Sequence, residues 1–135
     1  MMISSRGRYA LRVMVDLAEH GSEAYIPLRD IADRLQISQK YLESIMALLS
    51  KENLVDGVHG KGGGYRLNCD PNKCSVGTVL RITEGGLSPV SCQGTASGCD
   101  RADVCRTLPL WNGLSAVINQ YLDSVSLSDL MQQSP

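Results

Sequence analysis

Residues 28–67 read LRDIADRLQISQKYLESIMALLSKENLVDGVHGKGGGYRL, and this stretch decides the fold class of the 135-residue chain. Apolar residues recur three and four positions apart in its first part, which predicts two short amphipathic helices. The apolar positions are Ile31, Ala32 and Leu35 in the first helix and Leu42, Ile45, Met46 and Leu49 in the second. Ser38 is a suitable N-cap for the second helix. Two short helices joined by three or four residues are typical of a helix-turn-helix, whose second helix reads DNA.

A glycine-rich hairpin follows these helices. Residues 54–59 and 65–69 read as short strands on either side of Gly60-Lys61-Gly62-Gly63-Gly64. Glycine lets backbone amides approach phosphates closely, and Lys61 and Arg66 add positive charge. A nucleotide-binding loop would instead need G-x-G-x-x-G or a Walker pattern before a long helix, and neither spacing is present. The hairpin therefore predicts the wing of a winged helix-turn-helix.

Three further helices predict a mostly α chain with a small β wing. One precedes the quoted stretch and ends at Gly21, a second follows the N-cap Ser75 over Val76–Glu84, and a third spans residues 110–125. The third carries an apolar seam of Trp111, Leu114, Ile118, Tyr121 and Val125, flanked by Leu110 and Val117. We expect a long C-terminal dimerisation helix, because the seam resembles a coiled-coil stripe. Packing on the first helix is the alternative.

Composition narrows the function class. The net charge of −1 gives no global sign of nucleic-acid binding, so a DNA-binding role depends on where charge is placed. No stretch approaches the ~18 apolar residues of a membrane span. The N-terminus also lacks the apolar region of a signal peptide, so we expect a cytoplasmic protein. We assign residues 1–74 to a winged helix-turn-helix DNA-binding domain and residues 75–135 to a cysteine-bearing loop and dimerisation helix.

Three of the five cysteines, Cys92, Cys99 and Cys105, are spaced C-x6-C-x5-C. They lie in or directly after a polar loop over residues 87–104 that a bound group could order. Inside a cell, such a set indicates metal binding or redox chemistry rather than a disulfide framework. Three thiolates fall short of four-coordinate zinc or of the four cysteines of a simple iron–sulfur cluster. Spacing alone therefore leaves an iron–sulfur cluster, thiol redox chemistry and structural zinc open.

Several motifs carry a family resemblance. They are Gly7-Arg8-Tyr9-Ala10-Leu11-Arg12, Ile31-Ala32, Ile37-Ser38-Gln39-Lys40-Tyr41-Leu42-Glu43, Leu54-Val55, Gly60-Lys61-Gly62-Gly63-Gly64-Tyr65-Arg66-Leu67, the three loop cysteines and Leu110-Trp111. In these the chain resembles the bacterial iron–sulfur-cluster regulator family of winged-helix transcription factors, with its branches of IscR, NsrR and CymR type. The resemblance covers almost the whole chain, and the Gly-Gly-Gly-Tyr wing together with three cysteines is highly specific.

The resemblance implies a homodimeric transcription regulator, such as a repressor, that binds a palindromic double-stranded DNA operator. The residues that match DNA-contacting positions are Ser38, Gln39, Lys40, Tyr41 and Glu43 on the recognition helix and His59, Gly60 and Lys61 on the wing. It also implies that Cys92, Cys99 and Cys105 bind the iron of a cluster. The chain would then sense iron–sulfur status, redox state or nitric oxide.

The fourth cluster ligand is where the chain departs from the family. One branch has a histidine three residues after the third cysteine, where this chain has Leu108. Another has an aspartate in the first helix, where this chain has Arg8. The remaining candidates are Asp100, Asp103, Glu84, an external thiol or water. We expect a 2Fe–2S cluster in preference to 4Fe–4S, with the fourth ligand unassigned.

Two other functions compete with a cluster-based sensor. The first is a cluster-free regulator that works through thiol oxidation or a protein partner. The second is a thiol oxidoreductase, which we exclude because the chain has no C-x-x-C motif and no nucleophile–base pair. We expect Cys69 and Cys74, near a predicted strand end, to be packed as small hydrophobic residues and not to act as ligands.

Overall fold

The computed structural model describes residues 3–21, 24–90, 101 and 103–133. The elements in chain order are α1 (Ser5–His20), α2 (Leu28–Leu35), α3 (Gln39–Lys51), β1 (Val55–Val58), β2 (Gly64–Leu67), α4 (Val76–Glu84), α5 (Leu108–Ser124) and α6 (Leu127–Met131). The predicted fold class is confirmed: the chain is mostly helical, with a two-stranded antiparallel sheet after the third helix. Along the described residues, no helix is long and apolar enough to cross a membrane.

The turn between α2 and α3 forms as the sequence predicts. Gln36 takes a left-handed conformation with φ 56°, which reverses the chain after α2. The Ser38 hydroxyl oxygen then accepts a hydrogen bond from the Tyr41 amide at 3.1 Å, so Ser38 caps α3. Such a cap satisfies a backbone donor that has no partner inside the helix. α2 and α3 therefore form a helix-turn-helix pair.

The wing is a short hairpin seated on the loop before α2. Its register pairs Val55 with Leu67 and Val58 with Gly64. At the end away from the turn, the two strands are therefore shorter than the predicted strands over residues 54–59 and 65–69. The amides and carbonyls of Ile26 and Tyr65 exchange two hydrogen bonds of 2.8 Å, which fasten the hairpin to the helix-turn-helix. A Cβ on Gly64 would collide with the Ile26 carbonyl, and its φ of 147° disfavours any other residue.

The C-terminal part begins with α4, whose bounds match the predicted helix. Ser75 caps its start, accepting from the Thr78 amide at 3.0 Å, and Gly85 ends it with φ 74°. α6 is an element the sequence analysis did not anticipate. Its backbone lies beside the start of α4, where the Leu127 amide donates to the Cys74 carbonyl at 3.0 Å. Five residues are too few to show an apolar period, although Ser126 and Asp129 form a capping box.

Two apolar clusters organise the described residues. The larger one is built from α1, α2, α3 and β1, with Val79 of α4 and Leu127 of α6 added from the C-terminal part. The smaller one has three buried members, Val76, Leu80 and Leu87. α5 contributes no buried residue to either cluster, and Ile118, Leu122 and Val125 pack half-buried against the smaller one. We call α1, α2, α3 and the wing the reading module, or reader. It is far better packed than α5, the helix that follows the cysteine loop.

Candidate nucleic-acid interface and cysteine loop

The start of α3 presents an exposed polar surface. Ser38, Gln39, Lys40 and Glu43 are exposed, and Tyr41 is half-buried. The buried residues of α3 are on its opposite face, namely Leu42, Ile45, Met46 and Leu49. A helix N-terminus that carries exposed polar side chains can contact the base edges and phosphates of DNA. The residues that match DNA-contacting positions on α3 therefore share the face that the core leaves uncovered.

Part of this face and the wing line one groove. Glu43 of α3 lies on one side, and Val58, His59 and Gly60 of the wing lie on the other. Pro27, Leu28, Gly63, Gly64 and Tyr65 complete the lining. The structure thus brings Glu43 together with two of the three wing residues that the family resemblance singled out, His59 and Gly60.

Lys61 occupies the tip of the wing. The Gly63 amide donates to the Gly60 carbonyl at 3.0 Å, which closes a tight turn around Lys61 and Gly62. Gly60 and Gly62 have φ values of 92° and 78°, so the turn needs glycine at both positions. The turn holds an exposed cation at the end of the hairpin.

Arg66, which the sequence analysis expected to add positive charge beside Lys61, has two neighbours within the protein. Its guanidinium lies 3.6 Å from the carboxylate of its cross-strand partner Asp56 and 4.6 Å from the ring centroid of Tyr25. These contacts turn the side chain toward its own sheet and the loop before α2. Arg66 therefore stabilises the base of the wing, and Lys61 carries the charge at its tip.

α1 contributes a surface that pattern reading did not identify. The rings of Tyr9 and Tyr41 meet edge to face, with centroids 5.8 Å apart, so α1 supports the first turn of the recognition helix. The Arg12 guanidinium lies 5.1 Å from the Tyr9 ring centroid. The motif Gly7-Arg8-Tyr9-Ala10-Leu11-Arg12 contains these residues, but no local spacing reveals that Tyr9 reaches Tyr41, 32 positions away.

α1 and α2 are joined by a buried carboxylate. Asp16 is 6% exposed and accepts two hydrogen bonds from Arg34, from Nε at 2.9 Å and from Nη2 at 2.8 Å. The hydrogen bond to Asp16 raises the pKa of Arg34 further above its usual range. His20 Nδ1 is 3.5 Å from the same carboxylate. This fork-to-fork pair fixes the angle at which α2, and hence the helix-turn-helix, meets α1.

Of the three cluster-type cysteines, the described residues include Cys105; Cys92 and Cys99 lie outside them. Cys105 is half-buried and lies three residues before α5. Its sulfur is 3.3 Å from the Thr107 hydroxyl oxygen. Hydrogen bonds from Thr107 lower the pKa of the Cys105 thiol. A thiol that deprotonates readily is the donor that iron requires, so Cys105 fits the predicted role.

The candidate fourth ligands divide into three cases. Leu108 and Arg8 cannot serve, since one is apolar and the other is a cation that donates to Ser5 Oγ at 3.1 Å. Glu84 already accepts hydrogen bonds from the amide and hydroxyl of Ser4, at 2.9 and 2.7 Å. Asp103 is exposed, and Asp100 lies outside the described residues. Within the described ranges no three His, Cys, Asp or Glu side chains are grouped as metal ligands would be.

The apolar seam of α5 differs from the predicted one. Ile118, Leu122 and Val125 pack toward α4, whereas Leu110, Val117 and Tyr121 are at least 60% exposed and Leu114 is 40% exposed. The predicted seam mixed the two sets, because the periodicity of one helix does not show where its neighbour lies. The uncovered stripe is Leu110, Leu114, Val117 and Tyr121, with steps of four, three and four residues. We call this set the α5 stripe.

α5 is held on α4 by a polar clamp. Arg81 donates to both carboxylate oxygens of Asp123 at 2.8 Å and to the Asn119 side-chain oxygen at 2.8 and 3.3 Å. The Arg81 hydrogen bonds lower the pKa of Asp123. Gly77 lies under the clamp, and a Cβ there would collide with Asp123. We call Arg81, Asn119 and Asp123 the Arg81 clamp.

Comparisons with known proteins agree with this geometry. The family model Rrf2, described as an iron-dependent transcriptional regulator, matches residues 3–133. The HTH-type transcriptional regulator IscR of Aliivibrio salmonicida (strain LFI1238) is 41% identical over 131 residues, which span 97% of this chain and 77% of that protein.

Solved structures of regulators match the whole chain, among them those of CymR and IscR. CymR (YrzC), the global cysteine regulator of B. subtilis, has a TM-score of 0.80 at 31% identity, covering 100% of this chain and 99% of that one. IscR of T. potens has a TM-score of 0.77 at 30% identity, covering 100% and 93%. The predicted family resemblance is thereby confirmed. The chain belongs to the Rrf2 family, and it is a DNA-binding transcription regulator with a winged-helix fold, not an enzyme.

Proposed function

We propose that this regulator senses iron–sulfur status, redox state or nitric oxide through an iron–sulfur cluster on Cys92, Cys99 and Cys105. It acts in the cytoplasm as a homodimer on a palindromic double-stranded DNA operator. Residues 1–74 read the DNA, and residues 75–135 hold the cofactor and the dimer contact. We prefer a 2Fe–2S cluster to a 4Fe–4S cluster. Its fourth ligand is a group other than Leu108 or Arg8.

The observation that carries the proposal is the spacing C-x6-C-x5-C ending directly before α5. Cys105 lies three residues before the first residue of that helix, and hydrogen bonds from Thr107 lower the pKa of its thiol. When bound, a cluster supplies a group whose presence depends on iron supply, oxygen and nitric oxide. Ligation at Cys105 therefore acts on the N-terminal end of α5.

Contacts between helices carry a shift of α5 to the DNA-reading surface. The Arg81 clamp joins α5 to α4, so a shift of α5 acts on α4. Glu84 at the end of α4 holds Ser4, the N-cap of α1, by two hydrogen bonds. Tyr9 of α1 in turn contacts Tyr41 in the recognition helix. Each link is a direct contact between two elements, so a change in the position of α5 reaches the recognition helix through them.

The DNA side of the proposal is supported by exposure and shape. The DNA-contacting set is Ser38, Gln39, Lys40, Tyr41, Glu43, His59, Gly60 and Lys61. Apart from the half-buried Tyr41, these residues are exposed, and Glu43, His59 and Gly60 line one groove. Base edges are read by residues at the start of α3, and the DNA backbone is contacted by Lys61 and the glycine backbone of the wing.

The α5 stripe is the surface proposed for the homodimer. A row of four exposed apolar side chains with steps of three and four residues suits a second copy of the same helix. Val117→Lys should convert the dimer to a monomer in sedimentation equilibrium. Gln120→Lys is the matched control, because Gln120 is exposed on the same helix but outside the stripe. A dimer that survives Val117→Lys would place the contact on another surface.

The cluster is tested by anaerobic purification with an absorption spectrum and iron and sulfide analysis. Two irons and two sulfides per subunit, with structured visible bands, are expected. Cys105→Ser should abolish both the colour and the iron, while Cys74→Ser, a cysteine outside the loop, should retain them. Four irons would shift the assignment to a 4Fe–4S cluster. A colourless protein after attempted reconstitution would contradict the proposal.

One observation favours a second candidate, a cluster-free regulator. Both family positions for a fourth ligand hold residues that cannot bind iron, Leu108 and Arg8. In that case Cys92, Cys99 and Cys105 act through reversible thiol oxidation, or a protein partner sets DNA affinity. Operator affinity that changes with a thiol oxidant in protein lacking iron, and that no longer changes in Cys105→Ser, would support this candidate over the cluster.

A further inference from the structure

The surface that contacts DNA carries few positive charges. The DNA-contacting set contains two cations, Lys40 and Lys61, and one carboxylate, Glu43. Arg66 lies close to this surface, but its guanidinium is turned toward its own sheet and the loop before α2. Proteins that recognise a DNA sequence commonly neutralise several backbone phosphates with Lys and Arg. We therefore expect a further cation near the groove between α3 and the wing.

One exposed cation outside this set lies beside the groove. Pro27 and Leu28, which line the groove together with Glu43, are the two residues before Arg29. Among the residues that the structure describes, no other exposed Lys or Arg outside the set lies within two positions of a lining residue. Those others are Arg6, Arg8, Arg12, Arg34, Lys51, Lys73, Arg101 and Arg106. Arg29 is therefore the cation best placed to add charge at this surface.

The geometry of α2 turns Arg29 away from α1. Successive residues of an α-helix are rotated by about 100°, so Arg29 lies about 100° to one side of Leu28 and Arg34 lies about 120° to the other. Arg34 faces α1, because it donates two hydrogen bonds to Asp16. Leu28 faces the groove. Arg29 is thus on the flank of α2 that borders the groove and is remote from α1.

The Arg29 guanidinium has no ion-pair partner within the described part of the chain. Asp33 follows it by four positions on α2, at the spacing where opposite charges can meet on a helix, yet the two are not paired. Arg34 differs, since it is committed to the buried Asp16. Arg29 can therefore bind an anion from outside the protein without breaking an existing ion pair.

We propose that Arg29 binds a phosphate of the DNA backbone on the α2 side of the groove, while Lys61 binds another at the tip of the wing. The inference rests on the DNA-reading surface of the proposed function, and it adds a residue from a third element to that surface. A guanidinium donates its N–H groups in a planar fork that matches two phosphate oxygens. Contacts of this kind fix the orientation of a protein on the duplex and carry no base information. Arg29 is thus a positioning residue for α3.

Fluorescence anisotropy over a salt series tests this role in the full-length protein. The probes are a duplex that the wild-type protein selects from a random-sequence pool and a shuffled duplex of the same composition. Arg29→Ala should weaken binding to both probes and reduce the slope of log affinity against log salt concentration by about one, because one phosphate contact is lost. The ratio of the two affinities should stay unchanged, since a phosphate contact does not distinguish sequences.

Three further variants separate charge from structure. Arg29→Lys keeps the charge, so it should retain the slope but lose part of the affinity, because an ammonium lacks the planar fork. Arg29→Ala combined with Lys61→Ala should lower the slope by about two. Lys51→Ala, the matched control, removes an exposed lysine from the other end of α3 and should leave the slope unchanged. All variants should melt at the wild-type temperature, because each side chain is exposed.

The outcomes that would overturn the proposal are distinct. A slope reduced in Lys61→Ala but unchanged in Arg29→Ala would remove Arg29 from the interface and leave the DNA-reading surface in place. A changed affinity ratio would show that Arg29 reads a base. A slope reduced equally in Arg29→Lys would show that the charge is not responsible. If neither Arg29→Ala nor Lys61→Ala reduced the slope, the DNA-reading surface itself would be misplaced, and that part of the proposed function would fail too.

Discussion

The reading module and α5 are held in place by different kinds of interaction. α1, α2, α3 and the wing share a core in which Leu42, Ile45, Met46 and Leu49 are fully buried. α5 has no buried residue and is attached by half-buried apolar contacts and by the Arg81 clamp. Close packing tolerates few alternative arrangements, while a polar clamp at the surface can be exchanged for water at small cost. This regulator therefore combines a closely packed reader with a helix whose position is easier to change.

The largest expected effect compares the two kinds of packing directly. Leu49→Ala in α3 removes a fully buried side chain and should lower the free energy of unfolding by about 2–5 kcal/mol. Leu122→Ala, on the packed face of α5, should cost only about 1 kcal/mol, because its side chain is already half-exposed. Urea unfolding at matched protein concentration measures both. Equal losses would show that α5 is as firmly packed as the reader.

A second prediction concerns the ion pair inside the reader. Asp16→Asn keeps the size of the side chain but removes the charge that Arg34 pairs with, so unfolding should become easier by about 1–3 kcal/mol. Arg34 is 34% exposed, which keeps the loss below that of a fully buried pair. Asp33→Asn, an exposed position on α2, is the control. A loss no greater than that of the control would mean that packing alone sets the angle between α1 and α2.

A third prediction concerns the tip of the wing. Lys61→Ala should weaken operator binding and reduce the slope of log affinity against log salt concentration by about one, as expected for one lost phosphate contact. Lys73→Ala removes an exposed lysine from the connector and should leave the slope unchanged. Fluorescence anisotropy over a salt series gives both slopes. If the two substitutions gave the same slope, the wing tip would not contact the DNA backbone.

The smallest expected effect lies in the Arg81 clamp and depends on pH. Because Arg81 lowers the pKa of folded Asp123, the pair adds stability above the ordinary aspartate pKa of about 4 and loses it as the pH falls through the lower folded value. Asp123→Asn should therefore melt earlier at neutral pH and lose less on acidification. The effect should be smaller than that of Asp16→Asn, because Asp123 is half-exposed. Parallel melting curves of wild type and Asp123→Asn across the acid range would contradict this account.

Local sequence signals were sufficient for the elements that have a strong cap and period. Ser38 and Ser75 both accept the backbone hydrogen bond expected of an N-cap, and α4 begins and ends where its pattern predicts. Those signals act over one helical turn, so they are visible in a single sequence. The helix-turn-helix and the wing follow from them.

The remaining features depend on which elements meet in space. The α5 stripe was misassigned because the face of α5 that packs inward is set by α4, to which Arg81 and Asp123 connect across 42 positions. Asp16 and Arg34 are 18 positions apart, and Ser4 and Glu84 are 80 apart. No periodicity within one helix encodes such pairs. Cysteine spacing likewise identified a possible donor set but not its fourth member.

The hydrogen bond from the Ser4 amide to Glu84 has a consequence for hydrogen exchange. An amide at the N-cap of a helix has no partner inside that helix and normally exchanges its proton with solvent readily, yet this one is bonded to the last residue of α4. Its exchange rate thus reports whether the end of α4 stays in place. Deuterium uptake at Ser4 would register a change reaching the reader from the cysteine loop, without a label on any cysteine and without DNA.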